Sequence, residues 1–191
     1  MSRIPVRWFY SDAMSIKMDC LLRDASANDR RLDDMGWTGR RVLGFKLPHW
    51  QRRERWSDDQ CIGFIESVYL GANVVQFMVN LTVDPRFDRI LLDGQQRLRA
   101  IERYVAGEFA VPGEYAVPGW DGEPALWTDL TEQERSHFLR IGFPCLATAY
   151  QDDAALRDAY NRHNFCGTAH DISEMAEPGD LRSAPPGFHG A

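Results

Sequence analysis

The stretch that most restricts how this chain can fold is Ile90-Leu91-Leu92-Asp93-Gly94-Gln95-Gln96-Arg97. Three consecutive large aliphatics, too few for a helix of their own, predict a short strand buried on both faces. Asp93-Gly94 breaks that strand. From Leu98 the spacing changes: Leu98, Ile101, Tyr104 and Val105 fall at i, i+3, i+6 and i+7, a helical stripe that runs out at Gly107. A strand, a tight glycine turn and a helix opening on polar side chains aim unpaired backbone N–H groups and the positive end of the helix dipole at one spot. That spot suits an anion, and phosphate is its usual occupant. Asp93 sits at the mouth, Arg97 can fork onto two phosphate oxygens, and Gln95 and Gln96 add neutral donors and acceptors. The same residues also make a plain strand-to-helix connection, with Asp93 as N-cap and Gly94 in the turn. Spacing alone leaves both readings open.

Around this centre the chain reads as one domain. Val42 to Pro48 predicts a strand halted by proline. Ser57-Asp58-Asp59-Gln60 has the form of a capping box and starts a helix that stops near Gly71. Val74 to Val83 carries the strongest strand pattern, turned back by Asp84-Pro85. Residues 108–130 are rich in Gly and Pro and predict a long surface loop anchored by Trp120 and Trp127. Thr131 to Glu134 is a second capping box, opening a helix to about Ile141. Pro144 to Tyr150 reads as a strand, and Asp152 to His163 as a helix with Leu156, Ala159 and Tyr160 inward. Residues 1–41 show no clear period and are expected to pack as an extension, with 24–34 a loop or solvated helix. The Pro- and Gly-rich stretch 176–191 lacks core-forming residues and is expected to be disordered.

At 191 residues with 44% hydrophobic content, the chain can bury a real core. Its net charge of −6 argues against a protein that coats nucleic acid indiscriminately, which needs a basic surface. A local basic face is still available: Arg52, Arg53 and Arg55 lie between Trp50 and Trp56, and Arg97, Arg99 and Arg103 follow along the central helix. Those arginines can meet phosphates and a tryptophan can stack on a base, or they can simply face water while the tryptophans plug the core. No membrane span or signal peptide is visible. Cys20, Cys61, Cys145 and Cys166 form no CxxC pair, so they read as thiols in a reducing cytoplasm. His163, Cys166 and His170 have metal-like spacing without a second cluster, which leaves no protein-only metal site. Phosphate-binding P-loops, nucleophile elbows and dinucleotide glycine fingerprints are missing from the sequence.

Leu92-Asp93-Gly94-Gln95-Gln96-Arg97-Leu98 resembles the DGQQR signature of a branch of the ParB/sulfiredoxin superfamily. That branch is typified by the N-terminal domains of the GmrSD restriction enzymes and of the SspE phosphorothioate-dependent defence protein. Two further blocks are similar to the same branch and lie in its order: Leu47-Pro48-His49-Trp50-Gln51-Arg52 through Gly71, and Asn161-Arg162-His163-Asn164-Phe165-Cys166-Gly167-Thr168. The resemblance implies an α+β fold, a small mixed sheet flanked by helices, over residues 42–175. It implies a nucleoside triphosphate bound at the DGQQR turn with Mg²⁺, and hydrolysis or transfer of phosphate in a DNA-linked setting of defence, phage or DNA modification. Asp93, Gln95, Gln96 and Arg97 would form the catalytic group, with Asp93 the one protein contact offered to Mg²⁺. Gln51, Arg52, Gly94 and Asn164 would bind substrate. The alternative is a non-catalytic DNA- or protein-binding module of the same fold, with Arg53, Arg55, Arg99 and Arg103 facing DNA. No counterpart of the His-Asn-His nuclease half of larger relatives is read in these residues, so cleavage by such a module is not expected of them.

Overall fold

In a computed structural model of the chain, the aliphatic run at 90–92 divides between two sides of one sheet. Leu91 points into a core built with Phe77, Val79 and the helices before it, while Ile90 and Leu92 join Met78, Leu156 and Tyr160 on the opposite face. This alternation is the period of two that a pleated strand imposes. Burial on both faces explains why the run is continuously apolar. The structure describes residues 11–51, 53–72, 76–112 and 122–165, with the side chains of 164 and 165 excepted.

Among the described residues there are six strands, β1 (Asp12–Lys17), β2 (Arg41–Val42), β3 (Phe45–Lys46), β4 (Phe77–Asn80), β5 (Ile90–Asp93) and β6 (Gly142–Thr148). Five helices accompany them, α1 (Met18–Asp34), α2 (Asp58–Tyr69), α3 (Gln95–Val105), α4 (Glu132–Arg140) and α5 (Asp153–Phe165). The strands form one mixed sheet in the order β1-β6-β4-β5-β3-β2. β6 runs parallel to β4 and β3 parallel to β5, while the other pairs are antiparallel. The fold is therefore α+β, as the resemblance implied.

Both capping boxes form. Ser57 accepts from the Gln60 amide and Thr131 from the Glu134 amide, and each returning side chain reaches its cap backbone. Two sequence expectations are corrected. The strand expected over Val42–Pro48 is a hairpin that turns at Leu43 (φ 45°) and Gly44 (φ 74°). Two consecutive left-handed residues match the right-handed twist of a two-residue hairpin. Leu43 accepts that conformation because its side chain is buried and its amide donates to Glu102 Oε1 at 3.2 Å. Of the strand expected over Val74–Val83, Phe77–Asn80 is strand and residues 74–75 lie outside the described residues; beyond Asn80 the strand ends, and the Thr82 amide donates to Asp88 Oδ1 at 3.1 Å. Residues 24–34 are the second half of α1, where Ala25 and Leu32 are buried and most other side chains are exposed.

Residues 12–34 contribute an edge strand and a helix whose Met18, Leu21 and Ala25 belong to the main core. Trp127 stacks edge-on against Tyr104 and Phe138, which anchors its loop as expected. Trp120, Cys166 and the stretch 176–191 lie outside the described residues. No helix among the described residues is long and apolar enough to cross a membrane.

Candidate functional site

The β5–α3 junction is built on one glycine. Gly94 has φ 97°, a left-handed conformation, and is the N-cap of α3. A Cβ placed there would lie 2.5 Å from Phe77 Cβ and 3.1 Å from Phe77 Cα, so the turn presses directly against β4. The amide of Leu98 is the first to bond back, to Gly94 O at 2.9 Å, and no side chain caps the helix start. The amides of the first turn are therefore left without a side-chain cap, beside a cavity that Gly94, Gln95, Gln96 and Arg97 line.

Asp93 closes β5 and is not the helix cap. Its Oδ2 accepts from Arg97 Nη2 at 2.6 Å and faces His163 Nε2, on α5, at 3.3 Å. Burial alone would raise this carboxyl. The His163 hydrogen bond, the Arg97 charge and the Gly94 amide outweigh it and hold Asp93 down at about 2. His163 is raised in turn, first by its hydrogen bond to Asp93 and against the effect of burial. One carboxylate between two cationic groups leaves the cluster short of negative charge when His163 is protonated. Arg97 also donates to Gln76 O at 3.0 Å, which fixes the guanidinium between α3 and the approach to β4.

The two glutamines of the turn have opposite fates. Gln96 is engaged at both ends: its Oε1 accepts from the amides of Arg55 (3.1 Å) and Trp56 (3.2 Å), and its Nε2 donates to Arg53 O at 3.3 Å. It clamps the 53–56 loop to α3. Gln95 is only 4% exposed, yet neither its Oε1 nor its Nε2 has a hydrogen-bond partner among the described residues. Gln51 Oε1 and Arg97 Nε are likewise buried and unpartnered. These atoms belong to residues lining one small cavity of about 60 Å³, shared with Trp56, Asp93, Gly94 and Tyr160. Buried polar groups are normally satisfied by protein or water, so this concentration of free donors and acceptors marks the cavity as one able to take a small polar ligand.

Gln51, Gly94, Gln95 and Arg97, nominated from sequence, are thus brought together with Asp93. Arg52 lies outside the described residues, as does the side chain of Asn164. Arg99 pairs with Glu54 and Glu102, and Arg103 with Asp58 and Glu108. Arg53 and Arg55 are exposed and meet no carboxylate among the described residues. Sequence reasoning missed His163 and Tyr160 as site residues. A signal for both was present, because Leu156, Ala159, Tyr160 and His163 share one helical face. Among the described residues, no group of three or more His, Cys, Asp or Glu is placed to hold a metal ion.

A family model described as the N-terminal domain of the GmrSD restriction endonuclease matches residues 35–174. That stretch takes in β2 through α5 and every side chain of the cavity. No curated protein and no solved structure matches the chain.

Proposed function

The chain belongs to the family of GmrSD restriction endonuclease N-terminal domains, and from that premise we propose that it binds a nucleoside triphosphate with its terminal phosphate in the Gln95 cavity and hydrolyses or transfers that phosphate. The setting would be DNA-linked, as the restriction family to which it belongs suggests. The observation that carries the reading is the set of buried, unpartnered polar atoms on Gln51, Gln95 and Arg97 around one uncapped helix start. At about 60 Å³ the cavity holds the volume of about two waters, which suits one compact oxyanion.

The roles follow from which atoms lack partners. Arg97 Nε and Gln95 Nε2 are donors and would take phosphate oxygens together with the first-turn amides. Gln95 Oε1 is an acceptor and would orient an attacking water. In hydrolysis the water oxygen bonds the terminal phosphorus, the bond to the bridging oxygen breaks, and the water proton passes to a phosphate oxygen. Asp93, held at about 2, is too weak a base to keep that proton and would align the water or its neighbours instead. Gln96 would act as a positioning residue through the 53–56 loop. Mg²⁺ would arrive with the phosphates and neutralise their charge, with Asp93, already shared between Arg97 and His163, the one carboxylate among the described residues within its reach.

Gln95→Leu separates this reading from a purely structural one. Replacing an unsatisfied buried amide by an apolar side chain of similar volume is expected to leave stability unchanged or raise it, by up to about 1–3 kcal/mol. Nucleotide turnover should fall with it, as it should in Asp93→Ala and Arg97→Ala. Wild-type protein at a hundred times its dissociation constant of nucleotide should gain about 2.7 kcal/mol of stability, and Gln95→Leu should gain almost none. Equal turnover in all four proteins, measured with and without Mg²⁺, rejects the site.

A further inference from the structure

A second concavity of about 600 Å³ opens beside the small one, and Gln51 lines both. Resting on the phosphate reading above, we propose that this groove is the nucleoside subsite, with the base against Trp37, Trp50 and Phe87 and the ribose at Gln51.

Size makes the first argument. The phosphate cavity is far too small for a whole nucleotide, whereas the groove lies within the roughly 300–1,000 Å³ range of small-molecule sites. The second argument is the sign of the unpartnered groups. Gln95 Nε2 and Arg97 Nε are donors, matched to phosphate, but the unpartnered atom at the junction is Gln51 Oε1, an acceptor buried with only 6% of the residue exposed. A phosphate oxygen cannot satisfy it. A sugar hydroxyl or a base amino group can. Third, the backbone that carries Gln51 is fixed at the junction, since its main-chain carbonyl accepts from Arg40 Nη2 at 2.6 Å and its main-chain N–H donates to Pro48 O at 3.1 Å.

The groove's walls suit a planar base. Trp50 is braced by Tyr160 at 4.7 Å between ring centroids, and Trp37 by a hydrogen bond from its Nε1 to Arg40 O at 3.2 Å. Arg53 stands at the groove and meets no carboxylate among the described residues. Its guanidinium would complement the phosphates nearest the sugar. Base–aromatic stacking tolerates any base because each has a π-face, so choice among nucleotides would fall to the polar groups of Thr38 and His49.

Thr38 is exposed, lines the groove and takes no part in the phosphate cavity. Thr38→Trp should fill the space meant for the base. Titration calorimetry with ATP, GTP and CTP in turn, and with inorganic triphosphate, gives the comparison. The favoured nucleotide should bind wild-type protein more tightly than inorganic triphosphate does. In Thr38→Trp it should weaken by about tenfold or more, the scale of one lost stack, while inorganic triphosphate keeps its affinity. Indole N–H signals of Trp37 and Trp50 in a ¹H–¹⁵N spectrum of the wild type should move with nucleotide and stay in place with inorganic triphosphate. Undiminished nucleotide affinity in Thr38→Trp, or indole signals that ignore the nucleotide, overturns the groove and leaves the phosphate cavity standing. Wild-type protein that binds neither ligand overturns the phosphate reading itself. Should Thr38→Trp lose both ligands, the wild-type indole spectrum decides.

Discussion

Gly94 carries the tightest constraint of any single residue at the site. An alanine there would have to hold φ 97° and place its Cβ 2.5 Å from that of Phe77, a residue with no exposed surface. Left-handed backbone costs a non-glycine residue about 1–2 kcal/mol, and forcing a methyl into a packed core adds roughly 1–3 kcal/mol. Gly94→Ala should therefore destabilise the fold by roughly 2–5 kcal/mol in urea denaturation. A cost below about 1 kcal/mol would mean that β4 does not press on the turn as described. Its neighbour Gln95 behaves in the opposite way, since its amide contributes nothing to the fold that a hydrocarbon could not. The contrast between the two residues separates what shapes the turn from what uses it.

At the level of elements, the same contrast distinguishes a cap from a clamp. Ser57 caps α2 on the exposed side of the molecule, so Ser57→Ala should cost about 1 kcal/mol in chemical denaturation and leave nucleotide turnover unchanged. Gln96→Ala removes three hydrogen bonds to the 53–56 loop and strands the Arg55 and Trp56 amides. It should cost more, roughly 1–3 kcal/mol, and also weaken nucleotide binding, because Trp56 lines the cavity. Equal effects of the two substitutions on turnover would count against the clamp. The elements that sequence reading placed well, α2, α3, α4 and β5, are those whose ends carry local chemistry: Ser57, Thr131, Gly71 and Asp93-Gly94. β1 was illegible because it is an edge strand with five of six residues exposed, so its place is set by pairing with β6 and not by its own pattern. The β2–β3 hairpin was hidden for a related reason: a buried leucine occupies a turn position where only tertiary packing makes it tolerable. At the site, Gln51 and the turn residues were legible from motif order, but the ion pairs of Arg99 and Arg103 join positions 45 residues apart or nearly adjacent, and only the fold reveals them.

For the molecule as a whole, electrostatics offers the test between the two functions considered. Six arginines facing DNA would give a log–log salt slope near −5, at about 0.9 per phosphate. With Arg97, Arg99 and Arg103 paired to carboxylates, Arg53 and Arg55 remain as exposed contacts among the described residues. On an acidic body of net charge −6, and counting Arg52, which lies outside the described residues, any DNA affinity should be weak, with a slope no steeper than about −3. A steep slope in filter binding or anisotropy would restore the DNA-binding module as the leading reading. The Asp93–His163 pair has a different reach, because it ties α5 on one face of the sheet to the end of β5. Asp93 is held at about 2 against an ordinary 3.8, so its contribution to stability is complete above about pH 4 and is lost as pH falls towards about 2. His163 is raised above its ordinary 6.5, so its contribution is complete below that value and is lost as pH rises through the raised one. Between those limits both charges hold the helix to the strand. Melting temperatures of wild type and His163→Gln, measured from pH 5 to 9, should therefore converge on the alkaline side, with the wild-type advantage confined to the acidic side. Hydrogen exchange should place that advantage in α5. Curves that run parallel across the whole range would mean that His163 is merely a neighbour of Asp93, and that α5 is held over the cavity by the packing of Leu156 and Tyr160 alone.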